Sequence, residues 1–245
     1  MKICKSICVG LVFFFVSTSI KAQSDEYASS RIQLAYKNKA FLSFDIKYSY
    51  AYDSIPGTLI DSASGTFKLS GSSYWGTLDS LEFMQNNNYS IILYKPMKVM
   101  RIANASEVYP QPTNFSSMDS LLGKEHTSSY TVSGSNKTTT ITFIDASVPY
   151  HSFGIKYDSV TYFIKQIVYV VHEDYLGGGY YSEDATSNPS PYVRVTVDYT
   201  NYQTTAFSPT IFNADNYFMM SGNIYVPQSP HADYEVLIGS PNLIK

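Results

Sequence analysis

Four histidines, His126, His151, His172 and His231, and twenty acidic side chains are the residues that could hold a metal or carry a proton. No two histidines stand at the spacing that closes a pair of imidazoles on one ion. The run His172-Glu173-Asp174 sits where a strand pattern enters a polar loop, and consecutive strand residues point to opposite faces, so the three cannot converge without a bulge. Glu173, Asp174, Glu183 and Asp184 flank Gly177-Gly178-Gly179, but the Asp-rich loop spacing of an EF-hand is absent. The triple glycine has no helix after it to complete a phosphate cradle. Neither Gly-x-Ser-x-Gly nor Ser-x-x-Lys occurs. Cys4 and Cys8 lie at the very start of the chain, so the remainder offers no thiolate for catalysis, metal binding or disulfides. The expectation is a protein with no catalytic residues, no metal and no cofactor.

The chain start sets an expected compartment. Lys2 and Lys5 precede an apolar run from Ile7 to Val16, which is followed by small and polar residues and by Ile20-Lys21-Ala22-Gln23. This is the layout of a cleaved secretory signal over residues 1–22. The run is about half of the ~20 residues a spanning helix needs, and no later segment is long and apolar enough, so the mature chain is expected to have no transmembrane segment. Loss of residues 1–22 removes three lysines and takes the formal net charge from −3 to about −6. With only Arg31, Arg101 and Arg194 as arginines, no clustered basic face exists for nucleic acid. A periplasmic or secreted protein follows, with residues 23–245 as one domain.

The elements that would position any site are mostly strands. Twenty-three tyrosines and fourteen phenylalanines against 15% charged residues favour cross-strand aromatic packing. A helix is expected from Ser24 to Lys39, with Ser24 as N-cap, Asp25 and Glu26 in its first turn, and Tyr27, Arg31, Leu34 and Ala35 along one stripe. From Phe41 to Tyr52 the pattern alternates strictly, with Leu42, Phe44, Ile46, Tyr48, Tyr50 and Tyr52 on one face. Further strands are expected near 65–69, 74–78, 82–85, 89–94, 97–103, 128–133, 138–145, 153–157, 160–172 and 193–199, separated by turn signals such as Pro56-Gly57 and Gly134-Ser135. In the strand over 160–172, Val160, Tyr162, Ile164, Val168 and Val170 share a face. A short helix near Met118 to Leu122 breaks the series. The loop from Glu173 to Pro191 is long for a compact domain. The tail from Ser208 reads as irregular, with Phe212, Tyr217, Phe218, Met219 and Met220 packed down.

The remaining chemical signal is apolar. Phe44, Ile46, Tyr48, Tyr50, Tyr52, Trp75, Phe83, Met97 and Met118 concentrate in the first half, with Met84 and Met100 among them, and aromatic residues mixed with methionine line adaptable hydrophobic sites. Two readings stay open: an ordinary sheet core covered by the helices, or a groove that accepts an acyl chain.

The order of these elements resembles the outer-membrane lipoprotein-carrier superfamily, the LolA/LolB-like proteins. The matching parts are the helix Ser24 to Lys39, the stretches FLSFDIKYSY, GTFKLSGSSYWGTLD and YSIILYKPMKVMRI as opening strands, the helix near Met118 to Leu122, and the strands from about Ser128 to Tyr202. The resemblance implies a mainly β (α+β) fold, a curved antiparallel half-barrel of about ten strands with both helices over its concave face. It also implies an arginine that fastens the covering helices, for which no residue is marked out, although Arg101 stands on a suitable strand. The function it implies is binding or carriage of a hydrophobic ligand such as a lipid or lipoprotein acyl chain. The alternative is a structural or protein-interaction module that grips an envelope protein partner.

Overall fold

The structure, a computed structural model, describes residues 30–105, 124–145, 147–176, 191–240 and 243. The expected mid-chain helix with Met118, most of the Glu173 to Pro191 loop, residues 1–22 and the expected helix start with Ser24, Asp25, Glu26 and Tyr27 lie outside these. Among the described residues the chain is one helix and fourteen strands, more than the ten or so expected. The strands are β1 (Leu42–Tyr52), β2 (Leu59–Ser70), β3 (Ser73–Leu78), β4 (Leu81–Gln85), β5 (Tyr89–Tyr94), β6 (Val99–Asn104), β7 (His126–Ser133), β8 (Asn136–Phe143), β9 (Tyr150–Asp158), β10 (Ile164–His172), β11 (Tyr192–Gln203), β12 (Phe218–Ser221), β13 (Ile224–Pro227) and β14 (Glu235–Ile238). Among the described residues the helix, α1, occupies residues 30–37.

Twelve strands form a single curved open sheet in the order β14-β6-β5-β4-β3-β2-β1-β11-β10-β9-β8-β7, and β12 and β13 form a separate hairpin. Two meanders build the sheet. The first, β1 to β6, runs outward from β1; the second, β7 to β11, runs back and joins β1 on its other side, with Tyr48 opposite Val197 and Tyr50 opposite Val195. The alternation of β1 therefore sits at the centre of the sheet. The curl has a local cause in β2 and β3. A Cβ on Gly65 would lie 1.8 Å from the Thr77 carbonyl oxygen, so only glycine lets β3 fold over β2 there. Gly76 is covered by the rings of Phe67 and Phe83, whose centroids are 5.1 Å apart.

Each face of the sheet has its own cover. On one face α1 lays Ile32 and Tyr36 into a core made by Leu42, Phe44, Ile46, Phe67, Ile164, Ile167, Val193, Val195, Val197 and Tyr199. The buried stripe is Ile32, Ala35 and Tyr36, at the i, i+3, i+4 spacing of a docked helix; Leu34, expected on that stripe, is 48% exposed. On the other face the C-terminal tail covers β4, β5 and β6. Ala214, Tyr217, Phe218 and Tyr225 pack on Met84, Ile91, Leu93, Met100 and Ile102, which no solvent reaches. The tail is thus more ordered than its sequence suggests, ending in β14, which pairs in parallel with β6. Phe212, Tyr217 and Phe218 are packed down as expected, whereas Met219 and Met220 on the hairpin are exposed.

Two bulges correct the expected strand faces. Asn201 (φ 53°) marks an extra residue in β11, between the Ser43–Gln203 and Asp45–Thr200 pairs, and its side chain donates to Asp45 Oδ2 at 2.7 Å. Tyr199 and Tyr202 consequently reach the same core. Lys165 is the extra residue of β10, between the Ile164–Tyr157 and Gln166–Lys156 pairs. This turns Ile164 inward together with Ile167, Tyr169 and Val171 and sends Val168 and Val170 to the opposite face, contrary to simple alternation. Val160 and Tyr162 fall in the turn before β10, not in the strand.

Candidate functional site

The helix side of β1 changes character along its length. Leu42, Phe44 and Ile46, beneath α1, are buried; Tyr48, Tyr50 and Tyr52 point the same way and are only half-buried. Cross-strand neighbours extend this second stretch into a surface. Val197, Val195 and Val193 of β11 lie beside the three tyrosines, then Ile167, Tyr169 and Val171 of β10, then Ile155, Phe153 and Tyr150 of β9. The three valines of β11 are buried floor, and Tyr50, Tyr150, Phe153 and Tyr169 stand around them as half-buried walls. Tyr48 and Tyr50 stack with centroids 6.4 Å apart, and Tyr150 meets Tyr169 edge-on at 6.0 Å.

This surface is neutral. Burial holds the Tyr48 phenol above its ordinary range, and burial, reinforced by the neighbouring phenols of Tyr48, Tyr50 and Tyr150, does the same for Tyr169. Both remain protonated at any physiological pH. Exposed Asp61, opposite Tyr50 on β2, supplies a charge at the rim. Such a surface offers ring faces for apolar contact and hydroxyls for a polar end group.

The nine residues singled out in the sequence do not form one site. Tyr48, Tyr50 and Tyr52 stand together on the tyrosine surface. Phe44 and Ile46 share its strand face but are buried under α1. Phe83 is on the same face, farther across the sheet against Phe67. Trp75 is on the opposite face, where its Nε1–H donates to Glu82 Oε1 at 3.1 Å and the Lys68 ammonium lies 5.4 Å from its ring centre. Met97 sits in the 3-10 turn Lys95–Met97 and is 66% exposed. Met118 lies outside the described residues. Met84 and Met100 are occupied by the chain's own tail. Sequence reading missed Tyr150, Phe153 and Tyr169; alternation counted from Ile167 instead of Ile164 would have placed Tyr169 correctly.

No metal centre assembles: among the described residues, no group of three His, Cys, Asp or Glu side chains converges. His172 Nδ1 lies 3.2 Å from Asp174 Oδ2, a pair at a strand end. On the face away from α1, a shallow depression of about 190 Å³ is lined by Thr138, Thr140, Ser152, Gly154, Lys156, Gln166, Val168 and Arg194. Two of its polar groups have partners in the fold, Gln166 donating to Asp198 and Arg194 Nη2 to Asp53, each at 2.7 Å, while the buried Arg194 Nε has none among the described residues. Among the described residues, no helix is long and apolar enough to cross a membrane.

No family model matches the sequence, and no curated protein matches it. Solved structures do match. An uncharacterized conserved protein from Thermus thermophilus is 7% identical with a TM-score of 0.50, over 88% of this chain and 99% of that one. A LolA superfamily protein from Nitrosomonas europaea is 9% identical with a TM-score of 0.36, over 78% and 97%. A putative outer membrane lipoprotein-sorting protein domain from Vibrio parahaemolyticus is 8% identical with a TM-score of 0.36, over 77% and 96%. At 7% identity the likeness to the Thermus protein is one of fold.

Proposed function

We propose that this chain is an exported, non-catalytic binding or carrier protein of the periplasm, and that its tyrosine surface holds a hydrophobic ligand such as a lipid or lipoprotein acyl chain. The observation that carries the reading is the gradient along β1, where one continuous apolar face passes from fully covered at Ile46 to half-uncovered at Tyr50. An ordinary core would be covered throughout. Each methylene laid against such a face contributes about 0.8 kcal/mol before ordering costs. The neutral phenols fit an uncharged chain, and the sparse cations agree with binding by apolar area and not by headgroup charge. The signal-like start of the sequence supports the compartment.

Native mass spectrometry of protein isolated from its own host tests this. The expected spectrum shows a lipid-sized adduct that organic extraction removes. Tyr50→Glu places a carboxylate on the surface and should lower loading by more than ~10-fold, because stripping water from an ion costs several kcal/mol. Trp75→Phe, on the opposite face, should leave loading unchanged. Adduct-free protein, or loading indifferent to Tyr50→Glu in a variant with unchanged circular dichroism, overturns the reading. A second reading, a non-catalytic interaction module of the cell envelope, rests on the exposed edge strand β7.

A further inference from the structure

The sheet is open, and its two edges are unlike. At one, β14 is four residues long, carries Glu235 and pairs in parallel with β6. At the other, β7 is eight residues long, and every residue from Thr127 to Ser133 is exposed. Its sequence, HTSSYTVS, has no Lys, Arg, Asp, Glu, Pro or Gly, and its register with β8 is unbroken from His126–Phe143 to Ser133–Asn136. The usual protections of an edge strand, namely a charge, a proline, a bulge or shortness, are all missing.

The hydrogen-bonding side of this edge can be worked out. Ser133 and Asn136 flank a two-residue turn with Gly134 at φ 61°, and the Ile144 N–H donates to Glu125 O at 3.0 Å. Odd-numbered residues therefore spend their backbone groups on β8, and the N–H and C=O of Ser128, Tyr130 and Val132 point out of the sheet. On the α1 side of the sheet, Tyr130 and Val132 are 44% and 59% exposed and lie two residues apart.

We propose that β7 is a self-association edge, on which a second copy of this chain adds its own β7 antiparallel across a two-fold axis. A copy is the occupant that the strand itself fits. Uncharged, it meets an identical strand without like-charge repulsion, despite the chain's net negative charge. Two-fold pairing keeps corresponding faces on the same side when the axis passes beside Ser129, Tyr130 or Thr131, so Tyr130 and Val132 pack among the partner's equivalents, and aromatic and β-branched pairs of this kind stabilise antiparallel strands. The result is one continuous sheet of twice the width. One strand pair buries less than the ~1,200 Å² of a permanent complex, so the dimer forms reversibly.

Cysteine scanning tests this in the chain with Cys4→Ser and Cys8→Ser. Residues facing each other across the axis have Cα atoms about 4.5–5.5 Å apart, within disulfide range. One of Ser129→Cys, Tyr130→Cys and Thr131→Cys should cross-link to its own copy at least tenfold faster than Ser62→Cys, an exposed site on β2. Sedimentation should show the dimer fraction rising with concentration and lost in Val132→Lys, with circular dichroism unchanged. A monomer at millimolar concentration, or cross-linking at Ser62→Cys as fast as on β7, overturns the proposal. Host-protein capture through β7 by a chain that stays monomeric overturns it as well.

Discussion

Tyr36 and Tyr202 share a hydrogen bond between their phenol oxygens, although they come from α1 and from the far end of β11. The pair closes a ring with one residue of β10. The Ile164 N–H donates to Tyr36 Oη at 3.1 Å, and Tyr202 Oη–H donates to the Ile164 carbonyl at 2.8 Å. Tyr202 thus spends its proton on Ile164, so Tyr36 donates to Tyr202, and each hydroxyl gives once and accepts once. The ring satisfies both backbone groups of fully buried Ile164 at the Lys165 bulge, where the ladder is disrupted. Burial raises the Tyr36 phenol to about 12, against the lowering effect of its hydrogen bonds to Tyr202 and Ile164, so the ring stays protonated.

Removing either hydroxyl strands a buried backbone group. Tyr36→Phe leaves the Ile164 N–H unpaired, and Tyr202→Phe leaves its carbonyl unpaired. Each should cost about 1–3 kcal/mol in urea unfolding. The double variant should cost nearly the sum of the two, because both Ile164 backbone groups then lose their phenol partners, and should fall short of it only by the Tyr36–Tyr202 hydrogen bond that both substitutions remove.

The coil of the sheet at Gly65 should be intolerant of a single methyl group. Gly65→Ala drives a Cβ into the Thr77 carbonyl, and overpacking of this kind costs about 1–3 kcal/mol or more. Gly57→Ala adds a methyl into open space and should leave the melting temperature nearly unchanged. Equal melting temperatures for the two variants would contradict the close approach of β3 to β2.

Acid should loosen the tail before it unfolds the sheet. Glu82 accepts from Trp75 and from Tyr217 Oη (3.0 Å) and pairs with Lys95 at 3.0 Å. Burial pushes its carboxyl up, but the hydrogen bonds from Lys95, Trp75 and Tyr217 outweigh that and hold it below its usual range. A carboxyl lowered in the folded state contributes stability above its unfolded pKa, and that contribution fades as pH falls through the folded value. Fluorescence of Trp75, the single tryptophan, should therefore shift below about pH 4.5, near the unperturbed Glu range. In Glu82→Gln that acid step should be absent.

Asn201 holds a left-handed conformation that asparagine and glycine accept and β-branched residues resist. Asn201→Gly keeps that conformation but gives up the hydrogen bond to Asp45, and should cost about 0.5–1.5 kcal/mol. Asn201→Val should cost about 1–3 kcal/mol and lower the thermal midpoint by several degrees.

Much of this was legible in the residues. Period-two alternation located β1 and β5 almost to the residue, because a half-buried strand must alternate and turn residues end it. The bulges were not legible, since Lys165 and Asn201 look like ordinary strand positions until neighbouring strands fix the register. The α1 stripe was misjudged because Leu34 is as apolar as Ile32, and only the position of Tyr36 over Phe44 decides which side docks. Trp75 was grouped with Phe83 because composition carries no information on which face of a sheet a residue occupies. The tail gave little periodic signal, since its order comes from covering Met84, Ile91 and Met100 and not from local propensity.

The seam between β1 and β11 carries a kinetic consequence. Every other antiparallel pair in the large sheet joins consecutive strands, so each meander can zip up within its own stretch of chain, the Glu173–Pro191 connection between β10 and β11 being the longest loop within either. The seam must bring together segments from opposite ends of the domain, and the entropy of closing that long loop is spent before any of its contacts form. The Tyr48–Val197 and Tyr50–Val195 pairs thus set the pace at which two half-built sheets become one molecule, and until they meet, both halves leave an apolar strand open to the wrong neighbour.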